Sequence, residues 1–397
     1  MNMPMAFTDA LPVLKKITAA GFDAYFVGGC VRDYLLDRDI NDVDIATSAT
    51  PLEVKDLFSH TVDVGIEHGT IMVLRNGKGF EVTTFRHESS YSDFRRPDEV
   101  QFVRHLEDDL KRRDFTINAM AMDSDYKLTD LFGGQHDLKK RLIRTVGKAE
   151  ERFYEDALRM LRGARFASQL SFELEDSTLQ AMKKCSSLLQ HVAIERKRIE
   201  MDKLLTGINW LRGISYLSQT GISEQLPRFS VTDQQINRMK AINLDALTIQ
   251  QRWAAIILLM EISNSLAFLK QWRHSAKRMQ QVEQLIKLYW ERTKSMWNPV
   301  MLYETGIQSA IEAEKLYAAI CHVPDNEQLL LDMWDLLVIK NRSELQVNGN
   351  DLLQWSNRQG GPWVGELLTE IEQMIITGQL DNNSTEIKKW VNRWSQK

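Results

Sequence analysis

The period of the hydrophobic pattern changes once along this chain, near Gly147. Before that point, short apolar runs are separated by Gly and Asn. Ala24 to Val27, Val43 to Ile45, Thr61 to Val64, Thr70 to Leu74 and Phe80 to Phe85 read as strands. Leu11 to Ala20, closed by Gly21, and Cys30 to Leu36 have helical spacing. From about Lys148 the apolar residues recur every three or four positions, as in Leu158, Leu161 and Ala164, and this reads as helix through to Lys397. A chain with one such switch is expected to be α+β, with an N-terminal mixed sheet followed by an all-helical remainder. Breaks near Gly147, Gly207 and Asn298 divide it into residues 1–147, 148–206, 207–298 and 299–397. The polar stretch Arg86 to Val100 is expected to be a mobile loop.

Composition excludes several classes. The 397 residues allow about two to three domains, and 43% are hydrophobic, which is enough for real cores and against disorder. Lys plus Arg is 50 and Asp plus Glu is 54, a net charge of −4. The chain is therefore no histone-like polycation, although local basic patches can still bind nucleic acid. Cys30, Cys185 and Cys321 stand far apart with no C-x-x-C, which argues against a disulfide framework or a zinc cluster. No basic-then-apolar leader and no apolar run of about 18 residues is present, so a soluble cytoplasmic protein without membrane contact is expected. Nothing in the pattern signals an oligomeric state.

Six segments carry side chains suited to chemistry. In Phe26 to Asp33, a strand runs through Gly28 and Gly29 into a helix. Such a turn either lets backbone N–H groups and Arg32 approach a phosphate or is merely tight. Asp42 and Asp44, two apart on a strand, share a side. They are a costly pair unless a cation lies between them, and Mg²⁺ accepts such a pair together with substrate phosphates. Glu81 opens an apolar strand, where it is either a third carboxylate for that site or a surface residue. Arg113, Asp114 and Asn118 interrupt another apolar run, a set suited to phosphate and ribose.

Asp156, Arg159, Arg162 and Arg165 follow at steps of three, each drifting by about 60° around a helix. They either form a solvated basic face or present an edge that pairs with a base. Arg196 and Lys197 form one basic cluster; Lys270, Arg273, Lys277 and Arg278 form a second beside Trp272. These suit an RNA backbone or are simply solvated faces. His136-Asp137 has no companion histidines at metal-ligand spacing, and His136 is expected on a loop.

Taken in order, FVGGCVRD, DVDIAT, EVTTFR, RRDFTINAMA, EDALRMLRGARF and ERKRIE resemble the bacterial class II tRNA nucleotidyltransferases. These are the CCA-adding enzymes of the polymerase-beta-like nucleotidyltransferase superfamily. The motifs span roughly the first half of the chain, and the helical second half is similar in length and character to the family's body and tail. The resemblance implies a nucleotidyltransferase head (1–147), a helical neck with base recognition (148–206), a helical body (207–298) and a tRNA-binding helical tail (299–397). It implies addition of C, C and A to the tRNA 3′ end from CTP and ATP, with Mg²⁺ and release of pyrophosphate.

Carried over by motif, Gly28, Gly29 and Arg32 would cradle the triphosphate, and Asp42 and Asp44 would hold Mg²⁺, with Glu81 as third carboxylate. Arg113 would contact the nucleotide, with Asp114 and Asn118 near its ribose. Asp156 and Arg159 would pair with the base, supported by Arg162 and Arg165. Bacterial poly(A) polymerases share nearly all these motifs but tend to carry a longer, strongly basic C-terminal extension. An enzyme adding only A has the same pattern. A CC-only enzyme would have a shortened segment where Arg86 to Val100 is full length. A non-catalytic RNA-binding module would be expected to have lost a carboxylate, and all three are present.

Overall fold

The structure is a computed structural model that describes residues 4–89, 99–356 and 358–395. It forms two compact units, Met1–Ile236 with Gln271–Arg273, and Asn237–Lys270 with His274–Lys397.

The first unit is built on a sheet in the order β3-β4-β5-β2-β1-β8-β9. Its strands are β1 (Ala24–Val27), β2 (Asp44–Thr47), β3 (Thr61–Gly65), β4 (Thr70–Arg75), β5 (Lys78–Thr84), β8 (Met120–Met122) and β9 (Leu128–Asp130). Between them, β6 (Arg86–Ser89) and β7 (Glu99–Phe102) pair antiparallel as a separate ribbon. The expected loop from Arg86 to Val100 is therefore strand at both ends, and its residues 90–98 lie outside the described residues. Ladder hydrogen bonds between Arg86 and Phe102 override the polar composition that reads as a loop.

Alternation along the strands assigns the two faces. Helix α1 (Met5–Ala19) buries Phe7, Ala10, Val13, Leu14 and Ile17, one stripe of a 3.6-residue period. Phe7 packs on Phe26 of β1 with ring centroids 4.8 Å apart. On the opposite face Val27, Ala46, Phe85, Leu110 and Ala121 form a second cluster. Asp44 also points to that second face but stays exposed at its open end.

Helices α2 (Gly29–Leu35), α3 (Pro51–Leu57), α4 (Leu106–Lys111) and α5 (Gly134–Lys140) complete this region. α3 starts on a capping box of Thr50 and Glu53 with Pro51 behind it. His136 lies exposed on α5 rather than on a loop, because Asp137 beside it is buried and bonded to Thr116 and Arg144. Strand structure also continues past Gly147, since Leu142–Ile143 pairs in parallel with Glu173–Leu174. Two-residue strands are too short to show a period.

Helices α6 (Ala149–Glu155), α7 (Leu158–Leu170), α8 (Asp176–Cys185), α9 (Ile194–Leu205) and α10 (Trp210–Gln219) follow. α7 is buried along almost its whole length, between α9 and α10. Gly163 permits this, since a Cβ there would stand 3.2 Å from the Phe115 ring.

The second unit is helical among its described residues. One core gathers Leu352, Leu367, Ile371, Ile375, Ile387 and Val391. Elsewhere in this unit the fully buried Glu314 takes Arg292 at 2.7 Å, Trp297 at 2.8 Å and Asn326 at 2.7 Å. Burial alone would raise its carboxyl, and these donors hold it below the usual range. Among the described residues no helix is long and apolar enough to cross a membrane. Cys30, Cys185 and Cys321 are all free.

Candidate active site

At the open end of the sheet, a cavity of about 900 Å³ lies within the first unit. Nine Arg and Lys side chains line it against five Asp, so its wall suits a polyanion despite the chain's net negative charge.

Its floor is the turn from β1 into α2. Gly28 has φ +74°, and a Cβ on it would stand 3.0 Å from Arg113 Nη1 and 3.9 Å from Asp44 Oδ2. Glycine is required there by conformation and by close approach. Arg32 donates to Asp33 at 2.9 and 2.8 Å and to Asn118 Oδ1 at 2.7 Å. Arg113 is held by the buried Asp109 at 2.9 Å, which also binds Arg112.

Asp42 precedes β2, and Asp44 opens it. Both are exposed while Val43 between them is buried, so the carboxylates share a side as alternation requires. Burial pushes the Asp44 carboxyl above its usual range, neighbouring Glu81 and Asp42 add to this, and Arg113 partly offsets it. That crowding of like charge fits a site for a divalent cation. Glu81 stands directly opposite Asp44 in register but is not among the cavity's lining residues. Among the described residues no three His, Cys, Asp or Glu side chains gather closely enough to hold an ion. Glu81 nevertheless stands on the strand next to Asp44, close enough for its charge to raise the Asp44 carboxyl.

Helix α7 supplies another part of the lining. Arg162 binds Asp114 through Nε at 2.7 Å and Nη2 at 2.6 Å. Asp114 also accepts from Asn118 at 3.1 Å. Burial alone would raise the Asp114 carboxyl, but Arg162 and Asn118 hold it down at about 2. Arg165 pairs with Glu200 at 3.2 Å. Burial pushes its guanidinium down to about 10, still charged at neutral pH. The Arg32, Arg162 and Arg165 guanidinium carbons lie 5.1, 5.5 and 4.1 Å from the centroid of the Phe166 ring.

Asp114→Ala should cost roughly 1–3 kcal/mol of stability, since it removes the buried carboxylate that accepts from Arg162 and Asn118. The depressed carboxyl stabilises the fold fully above its ordinary value of 3.8 and loses that contribution as pH falls through about 2. The urea-midpoint gap between parent and variant should therefore close as pH drops across that window. A gap that stayed constant would show that the pair contributes nothing.

Asp156 corrects the sequence reading. It does not share a helix with Arg159 but sits at the break between α6 and α7, with extended backbone. Its carboxylate accepts from Leu158 N at 3.0 Å, an i→i+2 turn at the entry to α7, and binds Arg196 at 2.8 Å. Arg159 is 8% exposed and donates to Glu155 at 2.6 Å, Arg152 O at 3.2 Å and Arg112 O at 2.8 Å. Three of its five N–H groups are taken.

The basic clusters separate. Arg196 lines the cavity instead of an outer track. Lys197 is 2% exposed, and its ammonium donates to Gln225 O at 3.3 Å, so it offers no outer charge to RNA. Trp272 is buried and donates to Pro227 O at 3.0 Å, which removes it as a stacking surface. Lys270, Arg273 and Lys277 are exposed, and Arg278 is half-buried. Sequence reasoning missed Arg112, His68 and Arg86 in the lining, and Asp109 behind it. The spacing of Asp109 three and four residues before Arg112 and Arg113 was the available signal.

Comparison with known proteins agrees with this geometry. The family model described as the poly A polymerase head domain matches residues 24–144. A polymerase A RNA- and SrmB-binding model matches residues 171–231, and tRNA nucleotidyltransferase domain 2 matches residues 245–391. The CCA-adding enzyme of Bacillus cereus is 44% identical over 388 residues, 97% of this chain and 98% of that one. The Bacillus anthracis CCA-adding enzyme is 43% identical over the same shares. The crystal structure of the Bacillus stearothermophilus CCA-adding enzyme in complex with CTP superposes with a TM-score of 0.93. It is 38% identical, covering 99% of this chain and 98% of that one. Identity of that extent, over a cavity with these carboxylates and arginines, places the chain in the CCA-adding enzymes, a family of nucleotidyltransferases.

Proposed function

We propose that this chain adds C, C and A to the 3′ end of tRNA, using CTP and ATP and releasing pyrophosphate. The observation that carries the reading is one cavity whose lining gathers Asp42 and Asp44 with Arg32, Arg113, Arg162 and Arg165, and with Asp156 and Arg159. The close relatives named as CCA-adding enzymes favour this over a poly(A) polymerase, and the Bacillus stearothermophilus relative holds CTP.

The head (1–147) and neck (148–206) supply these groups. The helical body (207–298) leads to a helical tail (299–397) that binds tRNA. The N–H groups at Gly28 and Gly29, with Arg32 and Arg113, bind the triphosphate. Arg162 and Arg165 add charge from α7. Asp114 and Asn118 lie near the ribose and fix the directions of Arg162 and Arg32. Asp42 and Asp44 would hold Mg²⁺, which when bound stabilises charge on the attacking and leaving oxygens of a phosphoryl transfer. Glu81 assists from the neighbouring strand. Asp156 and Arg159 pair with the incoming base, and Arg196 orients Asp156. Lys270, Arg273, Lys277 and Arg278 contact the RNA backbone. The free cysteines suit a reducing cytoplasm, without membrane contact.

Gly28→Ala should raise the KM for CTP and ATP roughly tenfold or more, because a left-handed residue with a Cβ costs about 1–2 kcal/mol and pushes Arg113 aside. An unchanged KM would remove the turn from the nucleotide site. The function itself is tested with labelled CTP and ATP on tRNAs ending before CCA, after C and after CC. All three should be completed to CCA. An enzyme that extended only the last would be A-adding.

A further inference from the structure

The register of the sheet sets a direction across the site. Val27, Asp44, Glu81, Met72 and Val62 stand directly opposite one another on β1, β2, β5, β4 and β3. On the Val27 side the chain enters Gly28 and Gly29, where the phosphates lie in the function proposed above. An in-line displacement keeps nucleophile and leaving group on opposite sides of the reacting phosphorus. The acceptor's 3′-hydroxyl therefore approaches from the Glu81 side, across β5 and β4.

Among the described residues this face carries exposed side chains on β3 and β4. Val62 is 47% and Leu74 45% exposed. In the adjacent row Ala46, Thr83 and Thr70 oppose one another. Thr83 is two residues beyond Glu81 on β5 and so shares its face. Its Oγ1 lies 3.1 Å from Thr70 Oγ1, and both residues are half-buried. Each hydroxyl has one donor and two acceptor sites. Their mutual bond uses one donor and one acceptor, leaving a donor and several acceptors beside the nucleophile's path. A terminal ribose presents hydroxyls that can give and take hydrogen bonds, and its 2′-hydroxyl is what distinguishes RNA from DNA.

We infer that Thr83, backed by Thr70, reads the terminal ribose of the acceptor strand and makes the site prefer an RNA end to a DNA end. The inference rests on the phosphate and carboxylate assignments of the proposed function. Thr83 is a specificity-determining residue on the acceptor side, separate from the groups that choose the base.

The test uses the full chain and two tRNA acceptors lacking CCA, one ending in ribose and one in 2′-deoxyribose, both with a 3′-hydroxyl. Binding is measured by fluorescence anisotropy without nucleotide, and C addition as kcat/KM. The parent should favour the ribose end about five- to tenfold, the size of one lost hydrogen bond. Thr83→Val, which keeps shape and strand preference, should bring that ratio near one with the KM for CTP unchanged. Thr83→Ser should restore it. A ratio retained in Thr83→Val overturns the inference, as does a ratio lost equally in Thr83→Ser. A parent that completes CCA yet shows no ribose preference also overturns it while leaving the proposed function standing. A parent that adds neither C nor A overturns both.

Discussion

Asp42→Ala and Asp44→Ala should each cut incorporation of both C and A by on the order of 10³-fold or more, with tRNA binding largely intact. The two carboxylates share the exposed side of the β2 entry and line the cavity. Removing Asp44 should also leave the fold at least as stable as the parent. Burial raises the Asp44 carboxyl and the charges of Glu81 and Asp42 oppose its ionisation, so its ionised form is a liability to stability in the free protein. Such a combination, lost turnover with an unchanged or higher Tm, separates a functional residue from a structural one. Near-parental turnover in both variants would place the chemistry elsewhere.

Asp156→Ala and Arg159→Ala should relax the choice among nucleotides as well as slow the reaction. Arg159 can donate to O2 and N3 of C and to N1 of A. Asp156 can accept from the exocyclic amine that both bases carry. U presents O4 and a protonated N3, so each side chain would meet its own kind, at roughly 1–3 kcal/mol per mismatch. Selection against UTP should fall about 10- to 100-fold in each variant. Asp156 at the α6–α7 break and Arg159 in the first turn of α7 both line the cavity. Asp156→Ala should also cost about 1 kcal/mol of stability, since it removes the hydrogen bonds to Leu158 N and Arg196. Values of kcat/KM for all four nucleotides decide it. Unchanged ratios would mean that this break does not choose the base.

Much of this site was legible in the residues because its chemistry is local in sequence. Gly28, Arg32, Asp42, Asp44, Arg113 and Arg162 each stand on a short motif, and the cavity collects them. The strands Ala24–Val27 and Thr70–Arg75 coincide with short apolar runs to within a residue. What could not be read was tertiary. At Asp156 the backbone is extended and the carboxylate bonds Leu158 N and Arg196, although the spacing alone fits a continuous helix. Lys197 and Trp272 look like an RNA surface until packing buries them. The β6–β7 ribbon has polar strands whose pairing shows only in the ladder. Met120–Met122 and Leu128–Asp130 are too short to alternate visibly.

The most direct measurement is to sequence the 3′ ends made from a tRNA lacking CCA when all four nucleotides are present, beside an unstructured RNA of similar length. The tRNA should gain C, C and A and stop, and the unstructured RNA should gain little. Runs of A on both substrates, or A added without C, would contradict the assignment.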